Sequence, residues 1–221
     1  MTSNDELIDQ LARLRAAPPD TWATRDRILY EAARLIAAKG YHGASTRDIT
    51  SAVGIRQPSM FNHFSSKQDI LVELMRYEVS IPAGRARTIA AERGPAAERL
   101  CRYMDWDFDW YARMPIDLRG MNEELLEEPG LEQARADLQD WKRAITRIVR
   151  DGVDAGEFHP GTPALVPNVL TALSWEIVRV ATHGSDRRAL TKLCAGSVAF
   201  VLRGVLRDPA RTDDIIAAAR R

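Results

Sequence analysis

Apolar residues recur at helical spacing along most of the chain. Ile28, Ala32, Leu35 and Ile36 mark one face of a helix from Thr24, a workable N-cap, to about Lys39, with Gly40 at its end. Two shorter segments follow, Ser45 to Val53 and Gln57 to Phe64, separated by a glycine turn at Gly54. Ile49, Ala52, Val53 and Ile55 are expected to bury together, and Met60, Phe61 and Phe64 give the second segment its own apolar stripe. Arg47, Gln57, Ser59, Asn62 and His63 then face outward, with donors able to reach phosphates and base edges. Pro58 sits just inside its segment, where a helix tolerates a missing N–H. Ser45 or Thr46 can cap the first segment, and Ser65 or Ser66 whatever follows Phe64. Two short helices joined by a glycine turn predict a helix-turn-helix.

From Asp69 to about Arg85 a further helix runs through Ile70, Leu71, Leu74 and Tyr77, and Pro82 marks its weakening. This helix connects the helix-turn-helix to the rest of the chain, and any signal between them is expected to pass through it. Beyond Pro95 the pattern predicts helices over residues 95–112, 116–126, 130–155, 163–182 and 186–206, with a short tail helix near Asp213 to Arg220. The breaks fall at Pro115, Pro129, Gly156 to Pro163 and Gly184. No alternating strands and no internal repeat interrupt this series, so the fold class is all-α. Residues 1–21 carry Leu7, Ile8, Leu11 and Leu14 at helical spacing before Pro18-Pro19. They read either as a partly ordered leader with a single helical stretch, or as an extra helix packed on the helix-turn-helix domain or reaching for DNA through Arg13 and Arg15.

With 221 residues the chain can bury a sizeable core, and 45% hydrophobic with 28% charged residues is ordinary globular composition. No apolar run is long enough to span a bilayer, and Met1 to Asp20 lacks the basic start and apolar core of a signal peptide. A cytoplasmic location is expected. Cys101 and Cys194 have no partner at metal-ligand spacing and read as buried free thiols; His42, His63, His159 and His183 form no pair at helical spacing. No metal and no cofactor is expected. The net charge is zero, but from Trp22 to Ser80 basic residues outnumber acidic ones eight to six. From Ile81 to Asp140 acids lead thirteen to eight, and from Trp141 onward bases lead thirteen to eight. A weakly basic end on a neutral body suits a protein that reads DNA sequence rather than one that coats DNA.

The run from Thr24 to Leu74, a hydrophobic helix ending in KGYHG followed by STRDIT, VGIRQPS, MFNHF and SSKQDIL, resembles the DNA-binding domain of the TetR family of bacterial transcriptional regulators. The resemblance implies a three-helix DNA-binding domain over residues 22–68, preceded by an extension over 1–21 and followed by a helical ligand-binding and dimerisation domain over 69–221. Arg47 stands where some members place an arginine on guanine; Gln57 is placed to pair with adenine and Pro58 to pack on a thymine methyl. Thr46, Ser59, Asn62, His63 and Lys67 match positions that usually grip phosphates, and Thr24 and Arg25 are weaker candidates for the same contact. Phe61 stands where the family often has tyrosine, which removes a phosphate bond and leaves a ring expected only to pack.

CRYMDWDFDWYARM is the unusual segment of the body, with aromatic residues around most of the helix. Such a helix is central to its domain. Its rings are either plain core or the lining of a ligand cavity: Tyr103, Trp106, Phe108, Trp110 and Met114, with Met121, Trp141 and Trp175. Asp105, Asp107 and Asp109, interspersed, are either solvated or meet a cationic ligand. In the last two long helices, residues 163–182 and 186–206, wide apolar faces with small residues permit close approach; in the family the corresponding pair makes a four-helix interface with a second copy. The resulting expectation is a homodimeric repressor released from a palindromic, double-stranded DNA operator by a small, largely apolar or aromatic effector. The sequence holds no nucleophile with a base, no paired catalytic carboxylates and no phosphate-cradling glycine loop, so it is not expected to be an enzyme. The alternatives are a helical carrier or enzyme that keeps the helix-turn-helix as a structural module, and a regulator controlled by a partner protein.

Overall fold

The computed structural model describes Leu14, residues 16–182 and residues 186–221. The leader positions Leu7, Ile8, Leu11, Arg13 and Arg15, and the break at Gly184, lie outside the described residues. Among the described residues the chain is helical throughout, and its extended pairing is a lone antiparallel bridge between Phe158 and Leu206. The all-α class is as expected. The chain divides into two compact units, Met1–Ile81 with Arg113–Ala136 and Pro82–Ala112 with Asp137–Arg221, and it passes between them three times. The connector is therefore not the sole covalent link along which a signal can travel.

The first unit holds the helix-turn-helix. Helix α1 spans Thr24–Gly43, and Gly40 leaves helical geometry at φ 73°, which ends the regular part where the sequence placed it. Its N-cap is Ala23 rather than Thr24, with no side-chain bond. Helix α2, Thr46–Val53, turns at Gly54 into α3, Gln57–Phe61, and α4 covers Lys67–Met75. Ile28, Leu29, Ala32, Ile49, Met60, Ile70, Leu71 and Leu74 are fully buried and form the core of this unit. Val53 joins them, but Ala52 is exposed and Ile55 half-buried, because Ile49 and Val53 already fill the inward face of so short a helix.

Residues 116–126 do not form the α-helix expected from their periodicity. They fold as two 3₁₀ turns, Leu118–Gly120 and Glu123–Glu127, opened by Asp117 and Asn122, whose side chains accept from the N–H of Arg119 and Leu125. Such side-chain bonds compete with helix propagation. This strap lies on α1: a Cβ on Gly120 would stand 2.8 Å from the backbone nitrogen of Ala37. His42 Nε2 meets Glu128 at 2.9 Å, and Gln68 donates to the carbonyl of Pro129.

The connector does not stop at Pro82. After α4 the chain widens to a π-turn over Arg76–Ser80, with Ile81 N–H donating to Arg76 O, and helix resumes as α5, Ile81–Ala91. A proline inside a regular helix lacks the N–H and clashes with the carbonyl four residues back, and a wider turn relieves both demands.

The second unit contains most of α6 (Ala96–Arg113) and α7 (Glu132–Asp154), together with α8 (Val166–Thr182), α9 (Arg187–Val205) and the tail helix α10 (Thr212–Ala219). Leu100, Tyr103, Met104, Phe108, Ile145, Ile148, Val149, Phe158, Leu170, Ile177 and Leu202 are fully buried. The Glu157 carboxylate accepts from the N–H groups of Ala96 and Ala97, both at 3.0 Å, placing negative charge at the N-terminus of α6. Arg99, buried in the same helix, bonds Asp151 at 2.9 Å and the carbonyl of Ala90 at 3.2 Å.

Phe158 packs directly against α7 at Gly152, where a Cβ would stand 2.2 Å from its ring. Gly152→Ala is expected to lower stability by about 1–3 kcal/mol in chemical denaturation. Gly204→Ala, a helical position with nothing within 4 Å of an added Cβ, is the control and is expected to gain about 0.5–1 kcal/mol.

Candidate DNA-reading surface and effector core

The helices on either side of α3 are fixed by side-chain caps. Ser45 Oγ accepts from Asp48 N–H at 3.1 Å, while Asp48 accepts from the N–H of Ser45 at 3.0 Å and from its hydroxyl at 2.7 Å, which closes the start of α2. These bonds from Ser45, with Lys39 at 3.4 Å, pull the Asp48 carboxyl down to about 2. At the other end Gly54 takes φ 75°, and Ile55 N–H reaches back to Thr50 O at 3.0 Å. This left-handed closure suits glycine and aims the chain into α3. Pro58 lies in the first turn of α3, and Ser66 caps α4 through Asp69 N–H at 3.1 Å.

The helix pair brings Arg47, Pro58, Ser59, Phe61, Asn62 and His63 to the surface. Thr46 and Gln57 are half-buried, and Gln57 Nε2 donates to Thr46 Oγ1 at 3.1 Å. Phe61 does not pack into the core: it is 49% exposed, because Met60 and Phe64 take the inward positions. Lys67 faces inward in part. Its ammonium donates to the carbonyls of Tyr41 (2.8 Å) and Ala44 (3.0 Å) at the end of α1 and stands 4.1 Å over the Tyr41 ring. Arg25 is likewise engaged by the protein, stacking on Phe64 at 4.8 Å and pairing with Glu73 at 3.4 Å. Arg56, exposed at the N-cap of α3, is a basic residue of this surface that the sequence reading passed over. Its position just before the recognition helix was the signal available.

In the body, Tyr103, Phe108, Trp110 and Trp141 are buried, while Trp106 and Trp175 are half-buried. Trp106 and Trp110 stack at 5.5 Å, Tyr103 lies 6.5 Å from Trp106, and the Arg85 guanidinium is 6.0 Å from the Trp106 ring. Phe108 points away into the core, and its carbonyl accepts from Cys194 Sγ at 3.8 Å. Met114 and Met121 are buried and belong to the first compact unit. Burial raises both thiols, Cys101 to about 12 and Cys194 to about 11.

The three aspartates of α6 have different surroundings. Asp105 forms a two-pronged pair with Arg220 at 2.8 and 2.7 Å, and Asp109 is exposed. Asp107 is buried, accepting from Tyr103 Oη and Ser174 Oγ, both at 2.8 Å, while Trp141 Nε1 donates to Tyr103 Oη at 2.5 Å. This network ties α6, α7 and α8 together. Desolvation, opposed by the two hydroxyl bonds, pushes Asp107 up to about 6. The Tyr103–Asp107 spacing of one helical turn was visible in the sequence, but Ser174, 67 residues away, was not.

On α8 and α9 an open groove of about 480 Å³ is lined by Leu173, Ala189, Lys192, Leu193, Gly196, Ser197 and Phe200. Phe200 is 69% exposed beside it. Among the described residues, no helix is long and apolar enough to cross a membrane.

A capped helix-turn-helix on an all-helical body defines a DNA-binding transcriptional regulator. Residues 28–74 match the family described as bacterial regulatory proteins, tetR family. The HTH-type transcriptional repressor KstR2 of Mycolicibacterium smegmatis is 24% identical over 192 residues, covering 85% of this chain and 93% of that protein. Among solved structures, AmtR of Mycobacterium smegmatis superposes with a TM-score of 0.71 at 24% identity, covering 90% of this chain and 94% of that one. AibR, in complex with isovaleryl coenzyme A and operator DNA, superposes with a TM-score of 0.62 at 16% identity, covering 80% and 97%. Over residues 28–74 the chain carries the DNA-binding segment of the TetR family of bacterial transcriptional regulators.

The buried Asp107 yields a pH prediction. Its folded pKa of about 6 lies above the ordinary 3.8, so its contribution to stability is full below about 3.8 and is lost as pH rises through about 6. The unfolding free energy of the native protein, from denaturant titrations across pH, is expected to fall over that window by on the order of 3 kcal/mol. Asp107→Asn is expected to flatten this slope.

Proposed function

We propose that the protein is a cytoplasmic, homodimeric repressor that reads a palindromic operator and is released from it by a small effector bound in the body. The observation that carries this reading is the reading surface itself. α2 is closed by its caps, and α3 with the turn after it places Gln57, Pro58, Ser59, Phe61, Asn62 and His63 outward or at the rim while Met60 and Phe64 anchor it inward. Arg47 supplies a guanidinium fork for guanine, Gln57 an amide for adenine, and Pro58 an apolar edge for a thymine methyl. Ser59, Asn62, His63 and Arg56 hold phosphates and set register. The exposed Phe61 ring adds an apolar contact rather than the hydroxyl bond of a tyrosine. Lys67, with two of its three donors committed to Tyr41 and Ala44, stabilises the end of α1 and offers DNA at most one N–H.

The effector belongs in the aromatic body around α6. Stacked indoles and the buried Asp107 network offer an apolar setting with few polar groups, which is the usual make-up of a small-molecule site. AibR, bound to an acyl coenzyme A and to operator DNA, supports the same division of labour by likeness of fold. Effector and DNA favour different arrangements of the protein and so weaken each other's binding by the same factor. The second copy docks on α8 and α9, with Phe200 of each copy filling the other's groove. Two linked recognition helices then meet two half-sites one helical turn apart.

Fluorescence-anisotropy titration onto DNA from the protein's own upstream region, beside scrambled DNA, tests the reading. The upstream DNA is expected to bind far more tightly, and Gln57→Ala to lose about 1–3 kcal/mol of that preference. Equal, weak and salt-abolished binding to both DNAs would sink the proposal. In sedimentation velocity, Phe200→Asp is expected to leave a folded monomer whose operator affinity falls on the order of 10²-fold, since linked heads lose their mutual effective concentration. A Phe200→Asp protein that stays dimeric places the second copy elsewhere.

A further inference from the structure

We infer that Thr46 is a positioning residue for base reading: its hydroxyl holds the Gln57 amide in the orientation that recognises adenine. The inference rests on the DNA-regulator reading above and deepens it.

Thr46 and Gln57, from the two helices of the reading surface, are bonded to each other. Gln57 Nε2 donates to Thr46 Oγ1 at 3.1 Å, from the first turn of α3 to the first turn of α2, across eleven residues of sequence. Both are half-buried, whereas Arg47, Ser59, Asn62 and His63 are exposed. A primary amide carries two N–H donors and one carbonyl acceptor. With one N–H taken by Thr46, the carbonyl and one N–H remain, which is the acceptor and donor pair that adenine's N6 amino group and N7 require in the major groove. The bond also removes two freedoms that blur a glutamine's message. Once the Thr46 hydroxyl gives its proton to a phosphate its oxygen can only accept, which opposes the end-over-end flip that exchanges oxygen and nitrogen. The bond restricts rotamers whose freedom would otherwise be lost on binding.

Thr46 has a firm seat for this task. It is the first residue of α2, beside the reciprocal Ser45–Asp48 cap that fixes the start of the helix. Its own O–H proton remains available to a phosphate while the oxygen accepts from Gln57. A phosphate role and a positioning role differ in what they change. Loss of a phosphate contact weakens binding to every sequence alike, whereas loss of positioning erodes the preference for one base pair.

The experiment is a double-mutant cycle read on two duplexes, the operator and the operator with one A·T pair replaced, that pair being the one whose preference Gln57→Ala abolishes. Thr46→Val keeps the shape and removes the acceptor; Thr46→Ser keeps the hydroxyl. Circular dichroism melts confirm that each variant is folded. The wild type is expected to prefer the operator by about 5–150-fold at that pair. Thr46→Val is expected to lose several-fold of that preference, Thr46→Ser to restore it, and Thr46→Val to cost no further preference once Gln57 is alanine. Equal loss on both duplexes, or the same loss with Gln57 present or absent, overturns the positioning role and leaves Thr46 as a phosphate contact. A wild-type protein that prefers neither the operator nor the pair overturns the regulator reading, and this inference with it.

Discussion

Helices of eight and five residues do not hold in water by themselves, because each must form a costly first turn with few bonds to follow. Everything at the DNA-reading end of this protein depends on overcoming that limit. The reciprocal Ser45–Asp48 bonds settle the start of α2, Gly54 in left-handed geometry settles its end, and Ile49, Val53, Met60 and Phe64 seat both helices on α1. Lys67 completes the arrangement from the far side, satisfying the carbonyls of Tyr41 and Ala44 where α1 runs out. With so much of the polar surface committed to closure, the residues left facing outward are few, and their chemistry is the more pointed for it.

The body follows the opposite logic. Its helices are long and amphipathic and need little help from caps, so what distinguishes it is a polar group kept inside. Asp107 has two hydroxyl donors, and no basic side chain among the described residues bonds it. A carboxyl in that position is an unfavourable charge near neutral pH, and a buried network of this kind fixes how α6, α7 and α8 meet at some cost in stability. A molecule entering between these helices would have to make terms with Asp107, Tyr103 and Ser174, which makes the network a natural point at which binding alters helix positions.

Much of this organisation was legible from residue order. Periodicity located the long helices to within a few residues, and the STRDIT and VGIRQPS runs pointed to the reading end, because caps and glycine turns are local and leave local signatures. What stayed hidden was non-local or competitive. Residues 116–126 had helical spacing, yet Asp117 and Asn122 bonded their own backbone instead. Phe61 looked like core beside Met60, but a five-residue helix has one inward face and Met60 occupied it. Lys67 looked like a phosphate ligand, and its distance of 26 residues from Tyr41 gave no hint of the carbonyls it would find. Thr46 as the partner of Gln57 and Ser174 as a partner of Asp107 were hidden in the same way, each on another helix.

The strap over α1 has a further consequence. Leu118, Gly120 and Met121 pack as part of the same compact unit as the helix-turn-helix, although they follow it by some fifty residues. Gly120 meets the backbone of α1 so closely that no other residue fits there without a shift. A fragment cut after Ile81 would therefore carry the whole recognition motif and still be an incomplete fold, with one flank of α1 stripped of its cover. The reading head is not a detachable cartridge. Its integrity is threaded through a segment that the chain reaches only after traversing the aromatic helix of the body.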